Sequence, residues 1–180
     1  MMLVLYPDLN LCVGCKTCEI ACAIEHSKGK NLISAVMEGV KPRMDVVFVG
    51  VPVPMNCRHC IDAPCLGVCP TDAIERSSKG PVIIDQSKCI GCRSCAIVCP
   101  FGAIRFERTA FKCDQCVDRL EKGKIPACVE FCPVGALKFE KVDELSAKRK
   151  IEAAKFFVEG KEEAKKSTVR LKDVVWFVRW

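Results

Sequence analysis

The sequence lacks the features that define several large protein classes. None of its apolar runs approaches the roughly 20 residues that a membrane-spanning helix needs, and no long polar stretch is typical of a disordered arm. It contains no G-x-x-x-x-G-K-[ST], G-x-G-x-x-G or H-E-x-x-H motif, so it offers no nucleotide site and no zinc-protease site. The two histidines, His26 and His59, have no neighbours typical of a nucleophile pair, and we expect both to be solvated or to cap a helix.

The start of the chain also lacks the features of a signal peptide. Such a peptide needs a basic region, about 7–15 apolar residues and a small-residue cleavage site. Residues 1–8 contain no Lys or Arg, and their apolar run stops at Pro7. We therefore expect a reducing, cytoplasmic location, where disulfides are rare.

Cysteine, by contrast, is abundant, with 16 among 180 residues, a fraction at which cysteine chemistry is expected to hold a fold together. The cysteines fall into four groups of four. Groups one and three have the spacing C-x2-C-x2-C-x3-C, and groups two, three and four end in Cys-Pro. Group one is Cys12, Cys15, Cys18 and Cys22; group two is Cys57, Cys60, Cys65 and Cys69; group three is Cys89, Cys92, Cys95 and Cys99; group four is Cys113, Cys116, Cys128 and Cys132.

This spacing indicates iron–sulfur chemistry rather than zinc. Zinc sites usually offer two CxxC pairs separated by a longer loop, whereas the x2, x2, x3 run is that of bacterial ferredoxins, whose fourth cysteine binds the neighbouring cluster. We expect that fourth cysteine to start a short helix, with the proline after it in the first turn. Sixteen thiolates predict four [4Fe–4S] clusters with no ligand left over; zinc or rubredoxin-like iron is the alternative.

The first CxxC of each group differs in its two central residues. Gly14 and Gly91 stand in groups one and three, where glycine lets backbone N–H groups approach a cluster or simply supplies an unusual φ. Groups two and four carry side chains there, which either place charge near a cluster or face water. These are Arg58-His59 and Asp114-Gln115.

Residues 73–85, between groups two and three, predict a strand, a Ser/Lys/Gly turn and a second strand. Such a hairpin is typical of a two-cluster ferredoxin, so it favours pairing of group two with group three and leaves group one for group four. Sequential pairing, one with two and three with four, is the alternative. The residues alone leave both open.

The pattern from Cys12 to Cys132 resembles the four-cluster electron-transfer subunits of molybdopterin oxidoreductases and their relatives. These include small subunits of formate dehydrogenases, dimethyl sulfoxide reductases and nitrite-reductase systems. Residues 18–27 look most like the iron–sulfur partner of carbon monoxide dehydrogenase and like soluble members linked to hydrogenase or formate dehydrogenase. The resemblance implies pairing of one with four and two with three, in one wire with cluster 1 nearest the catalytic subunit. It implies Cys12, Cys15, Cys18 and Cys132 for cluster 1; Cys22, Cys113, Cys116 and Cys128 for cluster 2; Cys57, Cys60, Cys65 and Cys99 for cluster 3; and Cys69, Cys89, Cys92 and Cys95 for cluster 4.

The expected fold class is α+β, with two interleaved two-cluster, bacterial-type ferredoxin-like domains of short strands and helices. Residues 1–56 and 101–142 would form the outer domain with clusters 1 and 2. Residues 57–100 would form the inner domain with clusters 3 and 4. Residues 46–51 predict a buried strand ended by Pro52 and Pro54, and residues 136–140 predict a closing strand.

Residues 143–180 predict a helical tail with an apolar end. From 143 to 166 the pattern is helical, with small or apolar side chains at positions 147, 151, 154 and 158 on one face. The end holds both tryptophans, which are enriched at binding hot spots. Trp176, Phe177 and Trp180 are therefore candidates for docking to a partner, and packing back on the chain's own core is the alternative.

These features predict an electron-transfer subunit with four [4Fe–4S] clusters and no active site of its own. Its partners would be a catalytic oxidoreductase subunit containing nickel, molybdenum or tungsten, and a hydrogenase or ferredoxin as second redox partner. The formal charge of +6 does not indicate nucleic-acid or membrane binding, because four oxidised clusters with their thiolates would contribute about −8. A free soluble polyferredoxin and a redox sensor that binds a partner are the alternatives.

Overall fold

The computed structural model describes residues 3–166, with side chains except those of Glu152, Phe156 and residues 159–166. Short strands and short helices alternate along it. The strands are β1 (Leu3–Pro7), β2 (Asp45–Phe48), β3 (Pro52–Met55), β4 (Ile74–Arg76), β5 (Val82–Ile84), β6 (Arg105–Phe106), β7 (Ala110–Phe111) and β8 (Leu137–Lys141). The helices are α1 (Thr17–Glu25), α2 (Leu32–Met37), α3 (Pro64–Gly67), α4 (Ser94–Ile97), α5 (Val117–Glu121), α6 (Ala127–Glu130) and α7 (Val142–Lys166).

The strands form four separate two-stranded sheets: β1 with β8, β2 with β3, β4 with β5, and β6 with β7. The last three are antiparallel hairpins. In the β4–β5 hairpin Ile74 lies opposite Ile84, which confirms the strand, turn and strand predicted between groups two and three. The closing strand predicted at 136–140 is β8, and it joins the end of the cysteine region to the first strand of the chain.

Two main apolar clusters form around the cysteines. The first contains Leu5, Met44 and Leu137 together with cysteines of groups one and four. The second contains Ile74 and Val82 with cysteines of groups two and three, and it extends to Ile104 and Ala110. Cysteine therefore replaces much of the aliphatic core that an ordinary domain of this size would have. Each of these apolar clusters brings together two of the cysteine groups.

Groups one and four are also held together by a half-buried ion pair. The Arg119 guanidinium of α5 lies 2.9 Å from a carboxylate oxygen of Glu25 at the end of α1, and it also pairs with Glu130 of α6. Helix α1 packs against α6. These contacts join segments that are about 100 residues apart in sequence.

The strand predicted at 46–51 is present in part as β2, but most of it is not buried, and the proline segment after it continues as a second strand. Residues 45–55 form the β2–β3 hairpin, in which Pro52 pairs with Phe48 and Pro54 with Val46. Because both strands are edges, proline is tolerated within them. Val46 is buried, but Phe48 is 59% exposed and Val49 is 70% exposed, so the apolar run covers an outer surface as well as a core position.

The expectation that the fourth cysteine of each group starts a helix is also wrong. The third cysteine is the second residue of a short helix in every group, and in groups two, three and four the fourth cysteine follows that helix. An x3 spacing spans about one helical turn, so the turn lies between the two cysteines. Pro64 stands at the start of α3, whereas Pro70, Pro100 and Pro133 lie in turns after the helices.

The chain divides into two compact units, Met1–Glu140 and Lys141–Trp180. Within the second unit α7 extends from Val142 to Lys166, which confirms the helix predicted there, and Ile151 and Val158 on its apolar face are exposed. Among the described helices, none is both long and apolar enough to cross a membrane. Trp176, Phe177 and Trp180 lie outside the described residues.

Candidate metal centres

The four cysteine groups fold into four copies of one local structure. The second central residue of each CxxC has a left-handed φ, at Gly14 (71°), His59 (47°), Gly91 (70°) and Gln115 (57°). This conformation costs glycine nothing but is strained for other residues. It turns the backbone so that the first two cysteines of each group can face a common point.

Three cavities are each lined by four cysteines. In every case three come from one group and the fourth from its partner group. Their empty volumes are about 370, 320 and 300 Å³. The cavities are lined by Cys57, Cys60, Cys65 and Cys99; by Cys69, Cys89, Cys92 and Cys95; and by Cys12, Cys15, Cys18 and Cys132.

The remaining four cysteines, Cys22, Cys113, Cys116 and Cys128, are all buried and are called the buried set below. Burial raises the pKa of the Cys116 thiol to about 12, and it raises the pKa of Cys113 and Cys128 above the usual range. The negative charge that Cys22 would carry adds to each of these rises. Thiols in such surroundings ionise only beside a compensating cation, which is what a metal centre supplies.

Backbone N–H groups donate to the sulfur atoms of several cysteines. Within groups two and four, the amides of His59 and Gln115 lie 3.4 Å from Sγ of the first cysteine of the group. Amides from segments 21 residues away reach Cys22 and Cys89 at 3.2 and 3.4 Å, and the amide of Ala136 reaches Cys132 at 3.2 Å. Such hydrogen bonds stabilise thiolate and are one of the ways a protein tunes an iron–sulfur site.

Two of the sites reach the surface. Cys15 and Cys92 are exposed, and each lies beside a hydroxyl, Thr17 Oγ1 at 3.4 Å and Ser94 Oγ at 3.6 Å. Hydrogen bonding by Thr17 lowers the pKa of Cys15, and hydrogen bonding by Ser94 lowers the pKa of Cys92. These thiols are therefore predisposed to ionise at the solvent-facing end of their cavities.

The sequence predicted that each histidine is solvated or caps a helix, and neither is solvated. His26 follows the end of α1, so its capping role is confirmed, but its Nε2 also lies 3.2 Å from Oδ1 of Asp114. Burial lowers the pKa of His26, but hydrogen bonds to Asp114 and Cys22 outweigh it and raise the pKa to about 10. Arg43 pairs with the same carboxylate. The Asp114 carboxylate therefore has two cationic partners within the protein instead of facing water.

His59 is the more deeply buried of the two, with 1% of its surface exposed. Its Nδ1 accepts the backbone N–H of Val82 at 3.0 Å. Burial, followed by the positive charge of Lys112, lowers the pKa of His59 to about 3. The ring is therefore neutral, and its proton lies on the other nitrogen, Nε2.

Sequence reasoning missed two further polar residues at these sites. Lys112 lines the cavity of Cys57 and Cys99 and is only 3% exposed. Arg43 donates its backbone N–H to Cys22 as well as pairing with Asp114. Nothing in the sequence indicated that Lys112 and Arg43 lie at these sites, because lysine and arginine are usually exposed.

The residues present fit iron–sulfur clusters. Twelve cysteines line three four-cysteine cavities, and the other four are buried and influence one another's pKa values. All sixteen are free thiols, and the described part of the chain places amide donors and a buried cation beside several of the sulfur atoms. A group of His26, Asp114 and Cys116 atoms lies within 4.8 Å, but the first two already form an ion pair with each other, so this group does not need a separate metal.

Comparison with known proteins agrees with this chemistry. Residues 48–142 match the 4Fe-4S dicluster domain family. The chain is 42% identical over 144 residues to an iron-sulfur protein of Rhodospirillum rubrum, covering 70% of this chain and 75% of that one. It is 37% identical over 169 residues to the electron transport protein HydN of Escherichia coli K12, covering 83% and 96%.

A third relative is a subunit of the anaerobic dimethyl sulfoxide reductase of Escherichia coli K12, which is 37% identical over 161 residues and covers 79% of this chain and 75% of its own length. The resemblance inferred from cysteine spacing is thereby confirmed. The chain belongs to the 4Fe-4S dicluster family of iron–sulfur electron-transport proteins.

Proposed function

We propose that the chain is an electron-transfer subunit that holds four [4Fe–4S] clusters in a row and has no active site of its own. The observation that carries the proposal is the gathering of all sixteen cysteines into four sets of four. Each set has the donors of one cluster, and iron–sulfur clusters supply one-electron carriers. The ligand sets proposed are the four implied by the resemblance, with groups one and four interleaved around groups two and three.

The order of the sites follows from shared elements. Helix α1 carries Cys18 of one set and Cys22 of the next, and the α3 segment carries Cys65 and Cys69 of two others. Lys112 connects the buried set to the cavity lined by Cys57, because it lines that cavity and bonds to the carbonyl of Cys113. The row therefore has the surface-reaching sites of Cys15 and Cys92 at its two ends, where electrons would be exchanged with partners.

The partners proposed are a catalytic oxidoreductase subunit and a second redox protein. The relative that is a reductase subunit supports the first. A nickel-, molybdenum- or tungsten-containing catalytic subunit, a hydrogenase or ferredoxin on the other side, and a cytoplasmic location all remain part of the proposal. The exposed apolar tip of the β2–β3 hairpin favours a partner-bound protein over a free polyferredoxin.

Anaerobic native purification with metal analysis tests the proposal. We expect about 16 iron and 16 sulfide per chain, from four of each per cluster, and a co-purifying subunit whose own metal identifies its chemistry. Zinc in place of iron would contradict the cluster proposal. A lone chain with full iron would favour the free polyferredoxin.

A double variant tests the pairing of the groups. If Cys12 and Cys132 serve one site, Cys12→Ala with Cys132→Ala abolishes one cluster and leaves three with about 12 iron. As a matched control, Cys12→Ala with Cys99→Ala damages two sites. Electron paramagnetic resonance (EPR) of the reduced proteins counts the affected clusters, and two damaged clusters in the first variant would contradict the pairing.

A further inference from the structure

Lys112 is a buried cation that has no carboxylate partner among the described residues. It follows β7 and directly precedes Cys113, and its ammonium donates to the backbone carbonyls of Val82 and Cys113, the latter at 3.1 Å. Across residues 3–166, no described carboxylate lies within ion-pair distance of its Nζ. A buried charge is strongly unfavourable unless an opposite charge compensates it, so Lys112 requires an anion that these residues do not otherwise provide.

The surroundings of Lys112 indicate where that anion lies. The side chain lines the cavity of Cys57, Cys60, Cys65 and Cys99. Burial raises the pKa of Cys65, and the positive charge of Lys112 opposes this rise. On its other side, Lys112 bonds to the carbonyl of Cys113, a member of the buried set. The ammonium thus stands between two sets of thiols.

His59 supplies a second, independent observation at the same cavity. Its Nδ1 accepts the Val82 amide, so in the neutral ring the proton is on Nε2. This Nε2 is buried and has no hydrogen-bond partner among the described residues, although His59 lines the cavity. An unsatisfied buried donor is rare and points to a missing acceptor.

We propose, on the basis of the proposed function, that Lys112 and His59 form a polar wall beside the two middle clusters of the row. This polar wall sets the reduction potentials of those two clusters. Lys112 is the fixed positive charge shared by the cluster of Cys57, Cys60, Cys65 and Cys99 and the cluster of the buried set. It stabilises the added electron and so raises both potentials. His59 donates its Nε2–H to a sulfur of the first of these clusters. Both act as positioning residues for charge rather than as ligands.

Among the described residues, the linings of the end cavities contain no equivalent buried charge. Lys16 and Arg93 line them, but the side chain of Lys16 is 52% exposed, and Arg93 is exposed and stacks on Phe106. Water and salt screen exposed charges far more than buried ones. The effect of removing a lysine should therefore be specific to the middle of the row.

Redox titration of the anaerobic holo-protein, followed by EPR, tests this. In Lys112→Met we expect the reduction equilibrium of one or two of the four clusters to shift at least tenfold toward the oxidised form, which is about 59 mV more negative for one electron. Lys112→Gln keeps a hydrogen-bond donor but loses the charge, and it should show the same shift. Lys79→Met, which removes an exposed lysine from the β4–β5 turn, should leave all four potentials unchanged.

The outcomes separate this inference from the proposed function. Unchanged potentials in both Lys112 variants at full iron would overturn the inference and leave the function standing, whereas wild-type protein with fewer than four clusters would overturn the function itself. If neither variant retains iron, electron–nuclear double resonance on the wild type decides. An exchangeable proton coupled to a reduced cluster, and lost in His59→Leu, supports the wall, and its absence refutes it.

Discussion

The loops of groups one and three and the loops of groups two and four solve the same geometric problem with different residues. All four need a left-handed φ before the second cysteine. Gly14 and Gly91 provide it without strain, whereas His59 and Gln115 adopt it at a cost of about 1 kcal/mol each. Strain of this kind persists where the surrounding structure requires the side chain, and both side chains are buried.

In the proposed row of sites, this difference separates the two ends from the middle. Where glycine occupies the position, the next cysteine is exposed, at Cys15 and Cys92; where a side chain occupies it, the next cysteine is half-buried or buried, at Cys60 and Cys116. The glycine loops leave the cysteine site open to solvent. The side-chain loops insulate it, so one repeated motif yields two kinds of site.

Replacing Gly91 should abolish metal binding at one of the two end sites. A Cβ at this position would lie 2.7 Å from the carbonyl oxygen of Arg108, and backbone cannot move aside as a side chain can. We expect Gly91→Ala to destabilise the protein by about 2–4 kcal/mol, from left-handed strain and overpacking together, with loss of one cluster's iron. Iron content and the midpoint of thermal unfolding measure this.

Gly102→Ala is the matched control. Gly102 also has a left-handed φ, of 58°, but a Cβ there would meet no atom within 4 Å, so only the strain of about 1 kcal/mol is expected. Gly14→Ala should fall between the two, because its Cβ would meet the side chain of Phe48, which is exposed. Equal losses in all three variants would show that packing does not distinguish the end loops.

The sequence predicted the features that depend on local spacing. The four cysteine groups, the hairpin at residues 74–84 and the helix after residue 142 all follow from short patterns. The burial of His59 and Lys112 could not be predicted, because both bond to Val82, which lies 23 and 30 residues away in the chain. The second strand of the β2–β3 hairpin was missed for a different reason, since two prolines in one segment argue against a strand unless that strand is known to be an edge.

The two histidines beside the middle sites should give opposite dependences of stability on pH. The folded pKa of His26, about 10, lies above the usual value of about 6.5. Protonated His26 therefore contributes its full stabilisation below about pH 6.5, and this stabilisation is lost as pH rises toward 10. The folded pKa of His59, about 3, lies below the usual value, so stability falls as pH decreases from about 6.5 toward 3. Each slope is at most about 1.4 kcal/mol per pH unit.

His26→Gln isolates the alkaline slope. Its rate of thermal cluster loss should change less between about pH 7 and pH 9 than that of the wild type, since the glutamine retains a donor toward Asp114 but binds no proton. His59→Asn should keep the wild-type slope in this range. The interpretation fails if His26→Gln shows the full wild-type dependence.

The smallest effect is expected at the exposed hydroxyl of an end loop. Thr17→Val keeps the shape of the side chain but removes the hydroxyl that lies 3.4 Å from Sγ of Cys15. A hydrogen bond from a neutral hydroxyl stabilises the reduced cluster less than a buried charge does, and because water competes for an exposed acceptor we expect this bond to contribute about 1 kcal/mol or less. The potential of one cluster should therefore fall by no more than about 40 mV, since a tenfold change is about 59 mV for one electron.

Thr109→Val, which removes a hydroxyl bonded to Gln86 rather than to sulfur, is the control in a redox titration. A shift in Thr17→Val as large as that of Lys112→Met would mean that solvent does not screen the ends, and the distinction between end and middle sites would be lost.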